Sequence, residues 1–168
     1  KTYEFIEAKN TYGKRVRYKK NAKNVNEDIM VMEIGNKNYN MDDFLKLLGS
    51  FICDGWYDEG DKHKRLSISM SKERKKKFIK KVLDNMKINY NFNNNRILIG
   101  NRYKDLVDYF RKLSVGADKK YLPNFVWDLS ERQSQILMNS LLQGDGSYNK
   151  QGSAGYYTSS KKLANDIQ

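Results

Sequence analysis

Leu47–Gly60 reads LLGSFICDGWYDEG, and Ser140–Lys150 reads SLLQGDGSYNK. Each stretch drives an apolar run straight into an Asp-Gly pair. In the first, Leu45, Leu48, Gly49, Ile52 and Cys53 fall at i, i+3, i+4, i+7 and i+8, one face of a helix with small residues at two levels. In the second, Leu137, Ser140, Leu141 and Gly144 repeat that spacing. Small residues on a shared face let helix backbones approach closely. The spacing therefore predicts that the two helices pack through Gly49, Cys53, Ser140 and Gly144, with Asp54 and Asp145 side by side at their ends.

A helix C-terminus is a poor place for one carboxylate and a worse one for two. The terminus carries partial negative charge, and the anions repel each other. At an effective dielectric near 20, like charges about 4 Å apart cost roughly 4 kcal/mol. A divalent cation reverses the sign and gives the arrangement a purpose. The simpler reading is a helix stop used twice, with Gly55 and Gly146 in the left-handed conformation.

Working outward, MDDFLKLLGSFIC from Met41 carries apolar residues on nearly every side, as a buried helix does. A strand is expected within GWYDEG. RLSISMS then alternates, with Leu66, Ile68 and Met70 on one face and Arg65, Ser67, Ser69 and Ser71 on the other. Ser71 is placed to cap the basic helix that follows, whose Phe78, Ile79, Val82, Leu83 and Met86 form a core stripe. INYNFNNNRILIG predicts two strands around an Asn-rich turn, with Ile88, Tyr90 and Phe92 sharing a face. RYKDLVDYFRKL is helical, and Ser130 is the expected N-cap of SERQSQILMNSLLQG.

The sequence then starts over. GYYTSSKKLANDI echoes LSISMSKERKKKF: strand, serine, lysines, helix. The Asp-Gly pairs lie 91 residues apart and the Ser-Lys pairs 89 apart. Two features repeating at nearly one offset indicate an internal duplication. Residues 1–40 form a polar segment with a basic cluster and little periodicity, residues 41–113 the first repeat, 114–130 a linker, and 131–168 the start of a second repeat.

Thirty-two Lys and Arg against twenty Asp and Glu leave a net charge of +12. No apolar run approaches a bilayer span, so the excess favours a nucleic acid over a membrane as partner. A lone cysteine, Cys53, excludes an internal disulfide, which places the chain in a reducing, intracellular setting, cytoplasm or nucleus, and not among secreted proteins. The start at Lys1 without Met suggests a piece of something longer. His63 stands alone in a charged loop, and Cys53 has no nearby base, so neither offers a nucleophilic mechanism.

LLGSFICDG and MNSLLQGDG resemble the paired nonapeptides of LAGLIDADG homing endonucleases, the dodecapeptide (DOD) type found within inteins. KKYLP resembles a further block of those enzymes, a lysine two residues before a Leu-Pro pair. YEFIEAKNTYGKRVRYKKNA resembles the late part of an intein's splicing segment, leading into a linker.

The resemblance implies an α+β fold of tandem αββαββα repeats, a β-saddle and a central pair of packed helices, with the second repeat incomplete. It implies a sequence-specific double-strand DNA endonuclease that hydrolyses phosphodiester bonds with Mg²⁺ or Mn²⁺. Asp54 and Asp145 would bind the metal, joined by the backbone carbonyls of Cys53 and Gly144. Lys120 would act at the scissile phosphate, with Lys119 as the fallback. Arg65, Ser67, Ser69, Ser71, Asn91 and Arg96 would line the DNA-facing side of the sheet. Partners would be the double-stranded target and either the remainder of the second repeat or a host splicing domain. Two alternatives stand beside this: a nucleic-acid-binding module without cleavage, such as an RNA maturase or regulator, and a degenerate structural remnant.

Overall fold

The computed structural model describes Asn10 and residues 26–60, 63–152 and 154–168. Apart from Asn10, the stretch likened to a splicing segment lies outside the described residues.

A lead-in at residues 26–30 enters a hairpin, β1 (Val31–Ile34) and β2 (Lys37–Asn40). Then come α1 (Met41–Asp54), β3 (Gly55–Gly60), β4 (His63–Ser69), α2 (Glu73–Asn85), β5 (Asn91–Asn93), β6 (Arg96–Gly100) and α3 (Lys104–Arg111). That is the expected helix–strand–strand–helix–strand–strand–helix unit. The order begins again with α4 (Glu131–Asp145), β7 (Gly146–Tyr148), β8 (Ala154–Tyr156) and α5 (Lys161–Ile167). The fold is α+β, with three antiparallel sheets among the described residues. The four-stranded one has the order β3-β4-β6-β5, and β7-β8 forms a separate pair.

The core lies between α1 and the inner face of the large sheet. All of α1 is buried except Asp42, Lys46 and Asp54, as its all-round apolar pattern requires. Leu66 and Ile68 of β4 pair with Ile99 and Ile97 of β6, and all four are fully buried. Phe110 of α3 closes the far side, 4.8 Å from the Phe51 ring and 5.8 Å from Phe44. Asn40 caps α1 by accepting from the Asp43 amide, and Ser130 caps α4 by accepting from Gln133, the second as expected.

Several local expectations fail, each for a physical reason. Residues 31–40 hold a two-residue hairpin where no periodicity was recognised. Its signal is Gly35-Asn36, with Gly35 at φ +60°. A Cβ there would also meet the Asp105 carboxylate at 2.0 Å. Ser71 does not cap α2, whose N-cap is Lys72 with no side-chain hydrogen bond. Ser160, its counterpart, does cap α5. The strand expected from Ile88 is confined to Asn91–Asn93, so Ile88 and Tyr90 precede it. Asn94 and Asn95, at φ +43° and +61°, make the mirror-image turn that closes β5 onto β6.

Residues 114–130 bury Leu122, Val126 and Leu129 and so form part of the core. Arg132 ties the lead-in to both main helices, bonding Asp28 at 2.7 Å and Asp42 at 2.5 Å. No helix among the described residues is long and apolar enough to cross a membrane.

Candidate functional site

Helices α1 and α4 pack closely, and small residues make it possible. A Cβ on Gly49 would lie 2.6 Å from the Ser140 side chain. A Cβ on Gly144 would lie 2.4 Å from both Cβ and Sγ of Cys53. In the duplicated numbering, Gly49 is the counterpart of Ser140 and Cys53 of Gly144. Each residue therefore meets its own repeat-mate, the pattern a two-fold axis through the interface demands. The Ser140 hydroxyl donates across the interface to the Lys46 carbonyl at 2.7 Å, and Ser50 donates to the same oxygen at 2.9 Å.

Both helices run into strands without a left-handed residue. Gly55 has φ −99° and ψ 155°, and Gly146 has φ −89° and ψ 157°. The helix-stop reading of these glycines is thereby corrected: any residue adopts this backbone conformation. What excludes a side chain is space. A Cβ on Gly55 would meet the Phe51 ring at 2.3 Å, and one on Gly146 would meet the Leu142 carbonyl at 2.4 Å. Each glycine lets a strand fold back against the last turn of the helix it leaves, which fixes where the preceding acid sits.

Asp54 and Asp145 thus occupy equivalent places, one residue beyond the Cys53–Gly144 contact. Both carboxylates act on the same two neighbours. Burial pushes the Cys53 thiol up to about 12, and Asp145 and Asp54 add to the rise. Burial also raises the Tyr156 hydroxyl, again with contributions from Cys53, Asp145 and Asp54. Tyr156 lies 3.5 Å from Cys53 Sγ and is a junction residue that the sequence reading missed.

Among the described residues, two lysines reach this junction. Lys120 donates from Nζ to the Cys53 carbonyl at 2.8 Å, so it lies against one of the expected ligand oxygens. Ser160 fixes its backbone by donating to the Lys120 carbonyl at 2.6 Å while accepting from the Leu163 amide. Lys119, the fallback, is exposed in a 3-10 turn. Lys75 of α2, which the sequence did not single out, places Nζ 2.5 Å from Asp54 Oδ2. Asp145 has no side-chain hydrogen bond or ion pair among the described residues.

The donor set suits a hard divalent ion: two carboxylates and nearby backbone carbonyls, all oxygen. No cluster of three or more His, Cys, Asp or Glu side chains forms a metal site among the described residues. Two carboxylates are what a Mg²⁺-type ion uses when a phosphate substrate supplies further oxygens.

The outer face of the large sheet carries Trp56 and Asp58 from β3, Arg65, Ser67 and Ser69 from β4, Arg96 and Leu98 from β6, and Asn91 and Asn93 from β5. Asn91 and Arg96 are exposed, Arg65 and Ser69 partly so, and Ser71 is exposed just beyond the strand. Arg65 is held by Asp58, with both contacts at 2.8 Å. Ser67 departs from expectation. It is fully buried, and its hydroxyl has no hydrogen-bond partner among the described residues. Trp56 and Arg96 come from the strands on either side of β4, and the Arg96 guanidinium lies 5.2 Å from the Trp56 ring centre. Their contact spans β4 on the face that carries Ser67, whose register partners are Trp56 of β3 and Leu98 of β6.

No family model matches the chain. An ATP-dependent Clp protease proteolytic subunit of Chlamydomonas moewusii is 28% identical over 194 residues, covering 98% of this chain and 19% of the relative. The C-terminal section of a DNA-directed RNA polymerase subunit beta of Stigeoclonium helveticum is 27% identical over 163 residues, covering 83% of this chain and 15% of its own length. The chain thus spans less than a fifth of either relative. Among solved structures, I-DmoI in complex with DNA and Mn aligns with TM-score 0.42 and 15% identity, over 64% of this chain and 63% of its own. The homing endonuclease I-WcaI bound to its DNA recognition sequence aligns with TM-score 0.34 and 12% identity, over 77% and 87%.

Proposed function

We propose that this chain is the DNA-binding and metal-binding part of a LAGLIDADG homing endonuclease of the DOD type, carried within an intein. The observation that bears most weight is the junction itself: two duplicated helices in contact through their small residues, each ending in an acid, with Lys120 directed at the same point. A structural duplication needs only an apolar seam. Charge gathered at its end needs a counter-ion and a task.

The two curated relatives support the insertion reading. Their names describe unrelated proteins, yet each matches nearly one and the same segment and shares little else by length. An element inserted into different hosts leaves that pattern.

Mg²⁺ or Mn²⁺ would be held by the carboxylates of Asp54 and Asp145 and the carbonyls of Cys53 and Gly144. The bound ions would activate a water for in-line attack and stabilise the leaving 3′ oxygen. Lys120 places a positive charge where a scissile phosphate develops negative charge. Arg65, Ser69, Asn91 and Arg96 present donors along the open sheet face, Arg and Asn suiting guanine and adenine edges and Ser the phosphates. The lysines of α2 add salt-sensitive attraction to the backbone.

The test is a cleavage assay of the complete reading frame on duplex DNA spanning the uninterrupted host site, with Mg²⁺ and with EDTA. Metal-dependent cutting, abolished by Asp54→Asn or Asp145→Asn, is expected. Full cutting by both variants overturns the assignment, and tight RNA binding without DNA cleavage moves the chain to the maturase class.

A further inference from the structure

The two acids of the junction are equivalent by duplication but not by surroundings. Asp145 has no ion-pair partner among the described residues, whereas Asp54 is paired with Lys75. That pair is not a loose surface contact: the side chains are 13% and 24% exposed, and Nζ lies 2.5 Å from Oδ2. Lys75, in the first turn of α2, lines one small pocket together with Phe78 and with Gln143 and Gly144 of α4. Lys120 touches the Cys53 carbonyl on the same half of the junction. Both lysine ammonium groups therefore sit on oxygens of the first repeat.

We propose that Lys75 is an internal counter-cation for Asp54, which holds the junction together without metal and which a divalent ion must displace to use that carboxylate. This rests on the metal-binding reading above. Repulsion between two acids at paired helix C-termini has to be neutralised in the empty protein, and a partly buried ammonium group does so without a metal. The same contact competes with any ion for the Asp54 oxygens. Asp145, which has no such competitor among the described residues, is the acid that an incoming ion meets first. Lys75 is thus a positioning residue that sets how much metal the site requires.

The experiment measures Mn²⁺ binding to the full chain by titration calorimetry, without DNA, and thermal melting in EDTA. Lys75→Met is expected to bind Mn²⁺ about tenfold more tightly than the parent, because the competitor has gone. It should melt at lower temperature in EDTA, and that loss should vanish in an Asp54→Asn background. Lys75→Arg should keep parental affinity. Lys75→Gln, which retains a donor without the charge, gives the same reading should methionine impair folding. If the parent binds Mn²⁺ and loses it in Asp145→Asn, yet Lys75→Met and Lys75→Gln bind no more tightly, the counter-cation role is wrong while the metal site stands. If neither the parent nor any Lys75 variant binds Mn²⁺, the metal reading fails and this inference fails with it.

Discussion

Gly144 lies so close to Cys53 that a Cβ on it would come within 2.4 Å of that cysteine's Cβ and Sγ. Neither neighbour can give way easily, since Cys53 is 8% exposed and its thiol faces the Leu141 carbonyl at 3.4 Å. Gly144→Ala should therefore force α1 and α4 apart and cost about 1–3 kcal/mol, as overpacking does. Cys53→Gly in the same chain removes the obstructing atoms and should recover part of that loss. The check is a double-mutant cycle by urea denaturation. Additive effects would mean that the two positions do not meet.

The Cys53 thiol, pushed up to about 12 chiefly by burial, stays protonated throughout the physiological range. A protonated, enclosed thiol is a poor nucleophile. A maleimide or aromatic disulfide reagent at pH 8 should label the native chain far more slowly than the chain in denaturant. Rapid labelling of the folded protein would show that the helix seam opens readily.

Arg132 bonds Asp42 and Asp28, and both carboxyls are held below their ordinary value of 3.8, Asp42 chiefly by the Arg132 hydrogen bond and Asp28 chiefly by Ser130 and then Arg132. The folded state thus binds these protons less readily than the unfolded chain. Stability from the pairs is fully present above the ordinary carboxylate pKa and is lost as pH falls through the lower folded values. Arg132→Met should weaken the protein at neutral pH and flatten the decline of the urea midpoint below about pH 4. An unchanged slope would assign acid sensitivity to other carboxylates.

The helix seam and its terminal acids were legible because periodicity and residue size are local properties. Gly49, Cys53, Ser140 and Gly144 announce a close approach wherever they recur at helical spacing. The contact of Lys120 with the Cys53 carbonyl had no local signal, since nothing in the sequence around it distinguishes it from Lys119. Lys75 was hidden among its neighbours in KERKKK. Which lysine reaches Asp54 depends on how α2 crosses α1, and a lysine run does not encode that. Ser67 misled for a related reason. Alternation placed it on the outer face correctly, but its burial depends on side chains from β3 and β6, joined only when the sheet assembles in the order β3-β4-β6-β5. The left-handed torsion that the helix-stop alternative gives the glycines after the acids is replaced by packing, a distinction that lies in Phe51 and Leu142 rather than in the glycines.

The Trp56–Arg96 contact gives the last prediction, conditional on DNA binding at the outer face. Arg96 cannot stack on Trp56 and reach a base edge at once, so binding must separate them. In a Trp127→Phe background Trp56 is the sole tryptophan, since the sequence holds two. Its emission should change on adding duplex DNA, and Arg96→Ala should abolish most of that response. The same variant should weaken binding to the target by about 1–3 kcal/mol, the range for a lost arginine–guanine contact. A stack worth about 0.5–1 kcal/mol at such an exposed site is small enough for a phosphate-lined groove to displace. Emission that stays fixed while DNA binds tightly would leave the Trp56–Arg96 bridge in place, and the bases would have to be read by Asn91 and Arg65 instead.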